Sequence, residues 1–78
     1  MANEKQLSEL RQNIIIALAD NRMNLSKTAR QMYMSRNAAV YHLEQIKKIT
    51  GKDPLDFYQL YDLALCVKAE RIKGDLDG

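Results

Sequence analysis

An all-α domain of four helices is the fold class that this 78-residue sequence predicts, and three observations carry it. Proline and glycine are scarce, one and three, which disfavours loop-rich and all-β architectures. Apolar residues recur at three- and four-residue spacing in separate stretches, the stripe of a helix packed on a core. Between Asn24 and Asn37, two serines stand where helix caps are needed, on either side of the small Ala29. A serine hydroxyl accepts a bond from the orphan amides of a first turn, so this pattern describes two short helices meeting at a tight corner.

The elements follow in order. The first helix is predicted from about Asn3 to Asp20, with Leu7, Leu10, Ile14 and Leu18 as its buried stripe and Ile15 widening it. Asn21 is the expected left-handed stop, since asparagine tolerates positive φ. The second helix is predicted from Lys27 to Met32 with Ser26 as its cap, Ala29 where another helix crosses, and Met32 and Met34 bracketing the corner. The third runs from Arg36 to about Ile49, capped by Ser35 and terminated by Gly51, with Lys47 and Lys48 at its negative C-terminal end. The fourth is expected to open at Asp53-Pro54, a cap followed by a proline whose missing amide does no harm there. It continues through Leu55, Phe57, Leu60, Ala64, Val67 and Ile72, and the polar tail from Gly74 to Gly78 is expected to fray. One domain spans residues 1–78, and its central pair of helices, about 26–49, is a helix-turn-helix.

The net charge of +2 conceals an asymmetry. Residues 1–21 sum to −1, residues 22–52 to +6 and residues 53–78 to −3. In the central segment Glu44 is the one acidic residue against seven basic ones. Positive charge thus concentrates on the helix-turn-helix, as a phosphate-facing surface requires. No apolar run approaches the roughly 20 residues that span a membrane, and no signal peptide precedes the first helix. The single cysteine, Cys66, excludes an internal disulfide and suits a reducing cytoplasm. Cytoplasmic, nucleoid-associated localisation follows as the expectation.

The third helix decides what can be read. At about 100° per residue, Ala39, Leu43 and Ile46 share one arc and face the core, whereas Asn37, Tyr41 and Lys48 lie opposite. In a helix-turn-helix the N-terminal residues of the second helix reach base edges in the major groove of duplex DNA. Arg36 matches the paired acceptors of guanine, and Asn37 matches adenine's acceptor and donor. Tyr41 lies one turn further in, and Val40 on the flank suits a thymine methyl. Glu44 points the same way and opposes deep insertion of the C-terminal half. Phosphate contacts are assigned to the rim: Ser26, Lys27 and Thr28 on the first turn of the second helix, with Arg30, Ser35, Lys47 and Lys48 beside them.

The string Asn24-Leu25-Ser26-x-Thr28-Ala29, then Ser35-Arg36-Asn37-x-x-x-Tyr41-x-Leu43-Glu44-x-Ile46, then Ile49-Thr50-Gly51 closely resembles the C-terminal helix-turn-helix of PucR-type bacterial transcription regulators. That family includes regulators of purine catabolism and of sugar-diacid use, and Fis-like proteins are more distant kin. The resemblance covers roughly Ile14 to Val67. It implies that Arg36, Asn37 and Tyr41 form the recognition-helix signature and that Thr28 and Ala29 are the interhelical packing pair. This chain departs from the usual pattern at Val40 and His42, where relatives carry arginine, at Ala38, where they carry threonine, and at Ala39, where they carry a large aliphatic. Such domains usually end longer proteins with a sensory region. This chain has no room for one, so no small-molecule effector is expected.

Other chemistry is thin. His42 has no second histidine or cysteine at ligand spacing, so no zinc site is readable, and it reads as a packing or phosphate-proximal side chain. Cys66 lies near the apolar face of the fourth helix and lacks a positioned base. Asp53 and Asp56 are explained by a helix start, and no phosphate-binding glycine loop is present. No catalytic residue, metal or cofactor is assigned. Two functions remain: a DNA-binding transcription regulator, or a helical module that keeps the fold and binds protein through the acidic fourth helix or Tyr33, Tyr58 and Tyr61. The charge split favours the first. A homodimer through the first or fourth helix, with Ile15, Tyr58, Tyr61 and Leu65 as its seam, would present two recognition helices to one face of the duplex.

Overall fold

The computed structural model describes residues 7–77, with side chains through Lys73. Four helices follow one another: α1 (Glu9–Asp20), α2 (Leu25–Gln31), α3 (Arg36–Thr50) and α4 (Phe57–Asp77), with no strand among the described residues. α1 packs against each of the other three, and α4 rests chiefly on α1. The core is the apolar interior where they meet: Ile14, Ile15 and Leu18 from α1, Leu43 and Ile46 from α3, and Leu60, Leu63 and Val67 from α4.

α1 starts later than expected. Ser8 is its N-cap, accepting a bond from the Arg11 amide at 3.2 Å, so the helix does not include Leu7 and Ser8. The remainder of the expected start, Asn3 to Gln6, lies outside the described residues. Leu10 is not in the core: it is 42% exposed, alongside Ser8 and Glu9, whereas Leu7, just ahead of the helix, is buried in the core as its place in the stripe predicts. Further along, neighbours on two sides bury both Ile14 and Ile15 completely. That burial removes Ile15 from any dimer seam.

Asn21 does not supply the left-handed stop; its φ is −90°. The left-handed residues are Arg22 (φ 54°) and Met23 (φ 67°), and the Arg22 and Met23 amides donate to the Ala19 and Leu18 carbonyls at 3.1 and 2.8 Å. This pair of crossed bonds closes a helix C-terminus whichever side chain occupies the corner. Asn21 serves α2 instead: its amide nitrogen donates to Thr28 Oγ1 (3.2 Å) and Gln31 Oε1 (2.8 Å).

The cap of α2 is Asn24, whose Oδ1 accepts from the Lys27 amide at 2.9 Å, so Ser26 lies inside the first turn. Starting at Leu25 lets that side chain pack on the core, which a helix beginning at Lys27 would not. The corner after α2 repeats the closure seen after α1: the Tyr33 amide donates to the Arg30 carbonyl and the Met34 amide to the Ala29 carbonyl. Met32 and Met34 then turn inward on either side of the corner, and Ala29 is buried beneath them. α3 begins at its expected cap, Ser35, which accepts from the Ala38 amide at 3.1 Å, and it ends at Gly51 with φ 77°. Ala39, Leu43 and Ile46 are its buried residues, as their spacing predicts.

α4 opens three residues beyond Pro54. Asp53 to Asp56 form a turn closed by the Asp56 amide on the Asp53 carbonyl at 3.0 Å, with the proline at its second position. Asp56 then caps α4 through Oδ2, which accepts from the Gln59 amide at 3.1 Å. Leu55, Phe57 and Ile72 are exposed and not part of the core, and Leu63 takes a place there that the predicted stripe omitted. The helical backbone of α4 continues through Asp77. Cys66 is half-buried. Tyr61 donates its hydroxyl to the Ala19 carbonyl at 3.0 Å, and Arg71 Nη2 donates to Asn13 Oδ1 at 2.7 Å, fastening α4 to α1 at two levels.

Candidate nucleic-acid interface

The predicted contact residues lie on α2, on α3 and on the cap of α3. Arg36 and Asn37 stand exposed on the first turn of α3, immediately after the Ser35 cap. Tyr41 is 56% exposed one turn on, and Glu44 is exposed beyond it. Val40 is half-buried at the flank, leaving part of its side chain for contact. The same helix buries Ala39, Leu43 and Ile46 against the core, so its outer face is held in one rotation.

The rim residues divide. Ser26, Lys27 and Arg30 are exposed on α2, and Ser35, Lys47 and Lys48 are exposed on α3 and its cap. Ser35 Oγ accepts from the Ala38 amide, which leaves its hydroxyl hydrogen to donate outward. Lys27, Arg30, Arg36 and Lys48 make no ion pair among the described residues. Lys47 lies 3.9 Å from Asp53 with both side chains well solvated, a pairing too weak to withhold it from a phosphate. Unpaired exposed cations within one segment raise the local positive potential and attract a polyanion.

Thr28 does not belong to the phosphate set. It is 0% exposed; its Oγ1 donates to the Asn24 carbonyl at 2.8 Å and accepts from Asn21. Its amide is also taken, by that same carbonyl at 3.0 Å. Thr28 and Ala29 are both buried, and in the first turn of α2 the Lys27 amide is occupied by Asn24 Oδ1.

His42 has a role that its sequence position does not reveal. It is half-buried, and its Nδ1 accepts from Arg11 Nε at 3.2 Å, which joins α1 to the middle of α3. The bond spans 31 residues of sequence, so no local pattern announces it. No group of three or more histidine, cysteine, aspartate or glutamate side chains able to hold a metal occurs among the described residues. No helix among them is long and apolar enough to cross a membrane.

Comparison with known proteins agrees with this geometry. The family model of the PucR C-terminal helix-turn-helix domain matches residues 13–69, from the middle of α1 to the fourth turn of α4. No curated protein and no solved structure matches the chain.

Proposed function

The chain belongs to the PucR C-terminal helix-turn-helix domain family, which implies DNA binding in transcription regulation, and from that premise we propose how this member reads DNA. α3 enters the major groove by its N-terminal turns, with Arg36 on guanine, Asn37 on adenine, and Tyr41 and Val40 on the bases that follow. Ser26, Lys27, Arg30, Ser35, Lys47 and Lys48 hold phosphates on either side and fix the register. Glu44 limits insertion of the C-terminal half. The observation that carries this reading is Arg36: exposed, unpaired among the described residues, and set at the capped end of a helix whose opposite face is locked in the core.

The protein regulates transcription in the cytoplasm, on the nucleoid, with no cofactor and no catalysis. A second copy docks on the outer face of α4, where Tyr58 and Leu65 are exposed with Tyr61 at the edge, and the pair of recognition helices meets half-sites about 34 Å apart. Comparison of Arg36→Ala with Lys27→Ala tests the division of roles. Arg36→Ala is expected to weaken the best site by about 1–3 kcal/mol and to relax its sequence preference. Lys27→Ala weakens all sequences alike and flattens the salt dependence by about one counterion. Equal losses for both on random DNA would overturn the assignment.

A further inference from the structure

Among the described residues, three other than glycine have positive φ: Arg22, Met23 and Tyr33. Met23 is half-buried and packs on the core, so its side chain is used by the fold. Tyr33 is different. It occupies the left-handed corner between α2 and α3 with φ 57°, where glycine sits without steric cost and a side chain does not. Its ring is 97% exposed and stacks on no other ring among the described residues. The free fold therefore carries the strain of a tyrosine at this position and gains no packing from it. Strained residues of this kind concentrate where a ligand is bound.

The surroundings indicate which ligand. Three residues before Tyr33 stands Arg30 and three after it Arg36, both exposed and neither in an ion pair among the described residues. The corner leads within two residues to Ser35, the cap of the helix that approaches the bases. A groove is walled by phosphates, so a side chain at that corner meets the backbone while the helix beyond it meets base edges. We infer that Tyr33 is a DNA-backbone contact, its phenol O–H donating to a phosphate oxygen next to the one held by Arg30, while Arg36 beyond the corner meets a base edge. This rests on the DNA-binding reading above and adds a residue to it. The phenol is neutral, so it adds affinity without releasing a counterion.

The test compares the native chain, Tyr33→Phe and Tyr33→Gly by thermal unfolding of the free proteins and by titration with one duplex at two salt concentrations. Tyr33→Gly is expected to raise the unfolding midpoint and yet weaken DNA binding roughly tenfold, the scale of one hydrogen bond to a charged group. Tyr33→Phe, which deletes the same hydrogen bond, leaves the midpoint in place, weakens binding by a similar factor and keeps the native salt slope. Native-like affinity in both variants would overturn the proposal while leaving the DNA reading intact. A native chain with no salt-sensitive binding would overturn both, and the native arm alone reports that outcome.

Discussion

Replacing Thr28 by valine separates a packing role from a DNA contact. The two side chains have the same shape and similar helix propensity, so the change deletes a hydroxyl and little else. Lost are the bond from Thr28 Oγ1 to the Asn24 carbonyl at 2.8 Å and the bond from Asn21 Nδ2 at 3.2 Å. Neither partner is stranded: the Asn24 carbonyl keeps the Thr28 amide, and the Asn21 side chain keeps Gln31 Oε1. Two such bonds contribute roughly 1 kcal/mol each, and a buried methyl in place of the hydroxyl returns roughly 0.8 kcal/mol. The net expectation is a loss of about 1 kcal/mol, or a fall of about 4–8 °C in unfolding midpoint for a domain of this size. Urea titration should show a lower midpoint with an unchanged slope, and DNA affinity measured well below the midpoint should equal the native value. A tenfold loss of affinity with native stability would refute the packing role and return Thr28 to the interface.

Further outcomes follow from the caps. Asn24→Ala should cost about 1 kcal/mol by chemical denaturation, whereas Ser26→Ala should change stability by only a few tenths, roughly, because Asn24 holds the Lys27 amide. The reverse order would place the cap at Ser26. Gly51→Ala should cost about 1 kcal/mol from backbone strain alone, since a Cβ there meets nothing within 4 Å. A larger loss in the same titration would mean that the added methyl collides with a neighbour.

What the sequence discloses here is what local chemistry determines. Ser35, Gly51 and the arc of Ala39, Leu43 and Ile46 are legible because each depends on neighbours within a turn or two. Arg36, Asn37 and Tyr41 are legible as the opposite face for the same reason. Where two residues of the same kind compete, the outcome belongs to tertiary packing. Asn24 and Ser26 both make good caps, and burial of Leu25 and Thr28 selects the first. Asp53 and Asp56 both precede a helical pattern, and the turn through Pro54 assigns the cap to the second. Three successive isoleucines at 14–16 erase the period that would have told Leu10 from Ile15.

Long-range pairs are silent in the sequence. Nothing near Arg11 points to His42, or near Tyr61 to the Ala19 carbonyl. The left-handed corner at Tyr33 is hidden for another reason: turn signals are carried by glycine and asparagine, and this corner has neither.

The central claim is that α3 reads base sequence in duplex DNA, and selection from a random duplex library at near-physiological salt tests it most directly. The account predicts enrichment of a defined motif, arranged as an inverted repeat with half-sites about 34 Å apart, and its loss in Arg36→Ala. No enriched motif, together with no salt-sensitive binding at low ionic strength, would contradict it.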